Sequence, residues 1–257
     1  MLSFFRRRRR ARLEQQPFPP GWLEILQKRF PYHRLLSAEE QRRLQLLIRS
    51  FLDAVNFEGC AGLQITDEIR VTIAAQASVL LLKRDEDAYP GLRSVLVYPT
   101  AYSVPSQHVD EIGVVHEGSA THAGEAWQRG AVILSWDDVR RDTAEMSDGQ
   151  NVPLHEFAHQ LDQQDGTFDG APLLETHAHY RSWARILMKE FEALQRAAER
   201  GEASLLDQYG ASDPAEFFAV TTEAFFEKPK ALQATHPELY AELQNFYRQD
   251  PAERSKG

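Results

Sequence analysis

His155-Glu156-Phe157-Ala158-His159 sets two imidazoles four positions apart with a carboxylate between them. On a helix, residues i and i+4 share a face one turn apart, so both rings can reach a single Zn²⁺ ion at about 2.0–2.1 Å. Glu156, beside the first histidine, then stands where it can take the proton of a water activated by the ion. Phe157, Ala158 and Leu161 supply the same helix with an apolar side, as a site half sunk in a core requires.

A catalytic zinc needs a third protein ligand and an open position. Cys60 is the only cysteine, which excludes a multi-cysteine site and any internal disulfide. Asp162 and Asp165 stand where the three-histidine pattern HExxHxxGxxH has Gly and His, so that arrangement is absent. Asp165 is a weak candidate, since no glycine at 162 turns the chain back toward the metal, and Asp169 is weaker still. A stronger source is the helix opened by Asp213-Pro214, where Glu216, Val220, Glu223 and Glu227 recur at i, i+4, i+7 and i+11 along one face. Glu216 or Glu223 could complete a site of two histidines and one glutamate. The competing reading makes Glu216 the capping-box residue at N3, behind Asp213 as N-cap and Pro214 at N1, and leaves Glu223 and Glu227 on a solvated face.

The elements that must position these groups are legible from periodicity. Ser37 with Glu40 forms a capping box ahead of Leu44, Leu47, Ile48, Phe51, Leu52 and Val55, predicting a helix over about 38–55. Thr66 and Asp67 start a second helix whose broad apolar stripe marks it as a core element. Residues 94–98 and 130–136 are short β-rich runs bounded by Pro, Gly and Asp, and the stretch between them suits a hairpin or meander. Further helices are predicted over 154–163, 176–200 closed by Gly201, 214–227 stopped before Pro229, and 237–247. Helices segregated from one small sheet make an α+β domain. The run Val132 to Trp136 is a candidate edge strand for pairing with an extended substrate.

The 257 residues carry a net charge of −9, unevenly placed. Residues 1–34 hold nine Lys and Arg against Glu14 and Glu24, with Arg6 to Arg10 contiguous, so the rest of the chain is strongly acidic. An acidic body argues against nucleic acid as the main partner. The arginine run reads as a solvated arm, and Pro17, Pro19 and Pro20 as an extended lead-in. There is no apolar run long enough for a membrane span, and no hydrophobic segment of a signal peptide follows the arginines. The expected location is the cytoplasm. The expected organisation is a basic flexible arm at 1–20, one domain at 21–250 and a flexible tail at 251–257.

Four separated segments carry a family resemblance: His155-Glu-Phe-Ala-His-Gln-Leu-Asp162, Gly130-Ala-Val-Ile-Leu-Ser-Trp136, Ile65-Thr-Asp-Glu-Ile-Arg-Val-Thr-Ile-Ala-Ala-Gln76 and Asp213-Pro-Ala-Glu-Phe-Phe-Ala-Val220. Together they resemble the Mlc titration factor A family of bacterial zinc peptidases over residues 20 to 250. That family is similar, around its active site, to the catalytic domain of anthrax lethal factor, which implies a zincin-like α+β fold. The resemblance implies one Zn²⁺ held by His155, His159 and Glu216, with Glu156 as general base and Tyr209, seven residues before Glu216, donating a hydrogen bond to the developing oxyanion. It further implies aminopeptidase-like action on a peptide substrate and binding to an Mlc-like transcriptional repressor that controls sugar-uptake genes.

Overall fold

The computed structural model describes residues 12, 13, 16–84, 89–100, 107–109, 115–117 and 130–254. Arg6 to Arg10 and His122 lie outside the described residues.

Helix α1 runs over Pro20–Arg29, its first position taken by a proline whose missing N–H costs nothing there. Helix α2 spans Ala38–Ala54. The Ser37 hydroxyl accepts from the Glu40 amide at 3.2 Å while the Ser37 amide donates to the Glu40 carboxylate at 2.9 Å, the reciprocal pair that the sequence predicts. Strand β1 (Asn56–Gly59) leads to helix α3 (Asp67–Leu80), capped by Thr66 and buried along nearly its whole length. Strand β2 (Ser94–Tyr98) lies parallel to β1, so β1-α3-β2 is a crossover unit. A short antiparallel ribbon joins β3 (Gln107–Val109) to β4 (Val115–Glu117). Strand β5 (Ala131–Ser135) then pairs parallel with β2, from Ser94 opposite Ala131 to Tyr98 opposite Ser135. The sheet order is β1-β2-β5, so β5 is an edge among the described residues.

Trp136 is not the end of this strand, as the sequence suggested, but the first residue of helix α4 (Trp136–Ala144). Ser135 caps it by accepting the Asp138 amide at 3.3 Å, and Asp137 and Asp138 complement the helix dipole. The remaining helices are α5 (Val152–Asp162), α6 (His177–Glu199), α7 (Pro214–Glu227), α8 (Pro229–Thr235), α9 (Pro237–Tyr247) and α10 (Pro251–Arg254). The fold is α+β and mostly helical, with the small sheet beside α5.

Helix α7 is buried from Ala215 through Glu227, which makes it the axis of the helical layer. Phe218 meets Trp183 of α6 with ring centroids 5.7 Å apart, and Phe225 meets Tyr240 of α9 at 5.1 Å. Helix α5 is fixed from behind by Phe157, which packs edge-on against Phe51 at 5.6 Å and against Tyr89 at 5.3 Å. Between α3 and α4, the buried Gln76 donates to Thr143 at 3.1 Å.

Contacts near both ends of the described chain reach into its body. Leu13 is buried and Gln16 receives Arg49 at 2.7 Å, so apolar burial and a charged hydrogen bond dock part of the 1–20 arm. At the other end, Arg254 of α10 donates to Tyr32 at 2.8 Å and to Glu40 at 2.6 Å, so docked chain continues to 254. Cys60 is half-buried in the turn after β1.

Candidate metal centre

Helix α5 starts at Asn151, whose side-chain oxygen accepts the Leu154 amide at 2.9 Å. One turn on, His155 and His159 project from the same face with ring centroids 4.7 Å apart. Helix α7 crosses this face and delivers Glu216 from its first turn, where Asp213 caps the Ala215 and Glu216 amides at 2.9 and 3.0 Å. Glu216 thus occupies N3, but its carboxylate points to the histidines rather than back to the cap. Its Oε2 lies 2.8 Å from His155 Nε2 and 3.5 Å from His159 Nε2, and the two Nε2 atoms are 3.1 Å apart.

These three atoms, all within 4.8 Å of one another, form the candidate ligand set. Arms of about 2.1 Å around a tetrahedral ion give donor separations of roughly 3.4 Å, and the set is close to that spacing. The donor chemistry, two imidazoles and one carboxylate, suits a divalent transition metal with an open coordination position.

Charge at the centre is strongly shifted. Burial disfavours the His155 cation, yet hydrogen bonds to Glu216 and Glu223 outweigh it and hold the pKa near 10. Burial likewise opposes ionisation of Glu216, but the two histidines hold its carboxyl at about 2. Tyr209, in the short 3₁₀ turn Gln208–Ala211, lies with its ring 6.1 Å from that of His155. Burial and then the Glu216 charge push its phenol up to about 12, so it keeps its proton and can donate it in a hydrogen bond. Glu156 is half-buried beside His155 and contributes to the field on both His155 and Tyr209.

The other carboxylates divide clearly. Asp165 is exposed and accepts from the Thr167 amide at 2.9 Å, and Asp169 accepts from the Ala171 amide at 3.1 Å. Neither joins the ligand set. Asp162 is fully buried and receives the Gly170 amide at 3.0 Å, with burial raising its pKa to about 7. It ties down the loop after α5. Gly170 has φ +75°, and a side chain there would strike the Pro214 carbonyl, so only glycine lets this loop close over the start of α7.

Glu223 and Glu227 are not on a solvated face; they are 7% and 6% exposed. Spacing alone does not show what covers them, because the partner is the segment Gly149–Asn151, a stretch without periodicity. Sequence reasoning also missed Phe168, whose ring lies 4.8 Å from that of His159 and is 39% exposed. With Tyr209, 54% exposed, it flanks the histidine pair. His177 is exposed, while His179 approaches Glu242 at 3.2 Å on another part of α6, so this pair plays no part in the centre. A cleft of about 670 Å³ among the described residues is lined by residues such as Arg84, Leu174, His179 and Phe246 and by none of the candidate ligands. We place the candidate centre at the ligand set, where three metal-donor atoms from two helices converge.

Comparison with known proteins agrees with this geometry. The model of the glucose-regulated metallo-peptidase M90 family matches residues 4–248. The chain is 41% identical over 244 residues to an uncharacterized protein of Synechocystis sp., covering 95% of this chain and 89% of that one. It is 37% identical over 224 residues to Mlc titration factor A of Pectobacterium atrosepticum, covering 86% and 83% of the two chains. To Mlc titration factor A of Yersinia pestis it is 31% identical over 238 residues, covering 91% and 86%. With nearly the whole chain matched and the HExxH helix facing a glutamate on α7, this protein belongs to the glucose-regulated metallo-peptidase M90 family, the family of Mlc titration factor A.

Proposed function

We propose that the chain is a zinc-dependent peptidase, aminopeptidase-like toward small peptides, with His155, His159 and Glu216 as metal ligands. The observation that carries this reading is the convergence of the two Nε2 atoms and one carboxylate oxygen from two helices onto one point. When bound, Zn²⁺ would polarise the scissile carbonyl and make water acidic enough to lose a proton near neutral pH. Glu156 takes that proton as the water attacks and hands it to the departing amine. Tyr209, protonated at all physiological pH values, donates to the carbonyl oxygen as that atom gains negative charge. Edge strand β5 offers its backbone to an extended substrate. We assign the catalytic unit to a single domain within residues 21–250 and its location to the cytoplasm; among the described residues no helix is long and apolar enough to cross a membrane.

The test compares hydrolysis of chromogenic aminoacyl and short peptide substrates by wild type and Glu156→Gln, with zinc content measured in both. A fall of roughly 10²–10⁴-fold in kcat with zinc retained is expected; equal turnover would overturn the mechanism.

A second role rests on a specific observation: relatives at 31–37% identity bear the name Mlc titration factor A. We propose that this chain also binds an Mlc-like repressor. Capture of such a repressor by both wild type and His155→Ala, with peptidase activity lost only in the variant, would separate binding from catalysis. Failure of the wild type to retain it would remove this role.

A further inference from the structure

The carboxylate of Glu223 has both oxygens committed. Oε1 lies 2.8 Å from Nδ1 of His155, on the side of the ring opposite the nitrogen that faces Glu216. Oε2 accepts the backbone N–H of Asn151, the residue that caps α5. One turn further along α7, Glu227 accepts from the Asn151 side-chain amide at 2.9 Å and from the Gly149 amide at 2.9 Å. Two carboxylates spaced i, i+4 on one buried helix therefore grip the chain at the start of the other, and one of them also holds the imidazole a turn later.

This arrangement joins helix register to ring orientation. An imidazole offers its Nε2 lone pair to a metal only when the proton sits on Nδ1, and a ring free to rotate about χ2 presents either nitrogen. With Nε2 given over to the metal, an acceptor at 2.8 Å from Nδ1 fixes the ring's rotation and holds the remaining proton on Nδ1. Because the same carboxylate is pinned by the Asn151 amide, it cannot follow the ring if the ring turns.

We propose that Glu223 is the positioning residue of the centre: it fixes His155 with Nδ1 protonated and Nε2 aimed at the metal, and transmits the register of α5 against α7 to the ligand geometry. The inference rests on reading the centre as a metal site. It assigns Glu223 no contact with metal or substrate.

The experiment uses the full chain as wild type, Glu223→Ala, Glu223→Gln and Thr222→Val. Thr222 shares a 2.8 Å hydrogen bond with Tyr247 in the core of the same helix, so Thr222→Val lowers stability without touching the histidines. Zinc affinity is measured by competition with a chromogenic chelator, melting temperature by circular dichroism, and the tautomer of His155 by ¹⁵N chemical shifts of labelled histidine. The expected result is a 10- to 100-fold weaker zinc affinity in Glu223→Ala, in line with roughly that loss when the partner of a ligating histidine is removed. In the zinc-loaded protein the His155 shifts should move from the Nδ1-protonated, Nε2-coordinated form toward a mixture of the two ring orientations. Glu223→Gln, which keeps one acceptor, should fall between. Thr222→Val should melt earlier with affinity unchanged. Wild-type affinity in Glu223→Ala, or an equal loss in Thr222→Val at matched melting temperature, would overturn the inference while leaving the metal site standing. Failure of the wild type to take up zinc would overturn both.

Discussion

Two groups of buried carboxylates tie distant parts of this chain together, and they are neutralised in opposite ways. At the seam between the chain's two ends, Glu40 of α2 meets Arg254 of α10 at 2.6 Å and Lys83 at 3.4 Å, and its pKa falls to about 2 because the Ser37 amide and these cations outweigh burial. At the metal centre, Glu216, Glu223 and Glu227 face imidazoles, amides, the Tyr209 phenol and the Asp148 carboxylate; among the described residues no Lys or Arg forms an ion pair with them. Burial there wins for Glu227, whose pKa rises to about 9, and raises that of Glu223. The seam is complete within the chain, whereas the centre is built to be balanced by a cation from outside.

That contrast can be broken at three points. Glu216→Gln should do the most damage at the centre. Zinc retention after dialysis should be lost, with affinity falling by more than the roughly 100-fold that removal of a supporting partner costs, and the chelator-treated protein should melt earlier as well, since the carboxylate that the histidines hold at about 2 is gone. A variant that still carries one zinc per chain would take Glu216 out of the ligand set.

At the seam, Glu40→Gln keeps an oxygen for the Ser37 cap but loses the charge facing Arg254. A loss of about 1.5–3 kcal/mol at pH 7 is expected in denaturant titrations, the range for hydrogen bonds to charged groups. The folded pKa is depressed from 4.5 to about 2, so the carboxylate's contribution is full above pH 4.5 and disappears as pH falls toward 2. Wild type and variant should therefore converge in acid; a gap that persists at pH 2 would mean the charge is not its source.

The smallest effect is expected from Glu227→Gln. A carboxyl with its pKa raised from 4.5 to about 9 is protonated when folded at pH 7, and it costs wild-type stability progressively as pH rises through that window. The amide resembles the protonated form. The variant keeps one of the two acceptors, so whatever its offset at pH 7 it should gain on wild type between pH 7 and 9, whereas a falling curve would show that Glu227 is ionised in the fold.

The same contrast explains what could be read from the sequence. The capping box at Ser37, the Thr66 cap and the spacing of α6 and α7 are local, and their hydrogen bonds are made where periodicity puts them. The histidine pair was legible for the same reason, since one helical turn fixes its geometry. Helix α4 was not, because Trp136-Asp-Asp-Val-Arg-Arg buries little beyond Val139, Asp142 and Thr143 and shows no apolar stripe. Strand β1 is four residues long and mostly exposed, below the length at which alternation is visible. The burial of Glu223 and Glu227 depends on tertiary packing against the irregular chain at 149–151, and spacing alone made them look solvent-facing. The choice between Glu216 and Glu223 followed a difference in reach: one carboxylate meets the Nε2 side of His155 and the other its Nδ1 side.

Helices α5 and α7 are separated in the chain by all of α6, and this order has a consequence for the protein's birth. A growing chain that has passed residue 159 offers an ion two imidazoles on a short helix and nothing more. The third ligand is added 57 positions later and is useful only once α7 has packed across α5. On the proposed ligand set, selection among competing ions falls to the packed pair of helices rather than to the histidine pair alone.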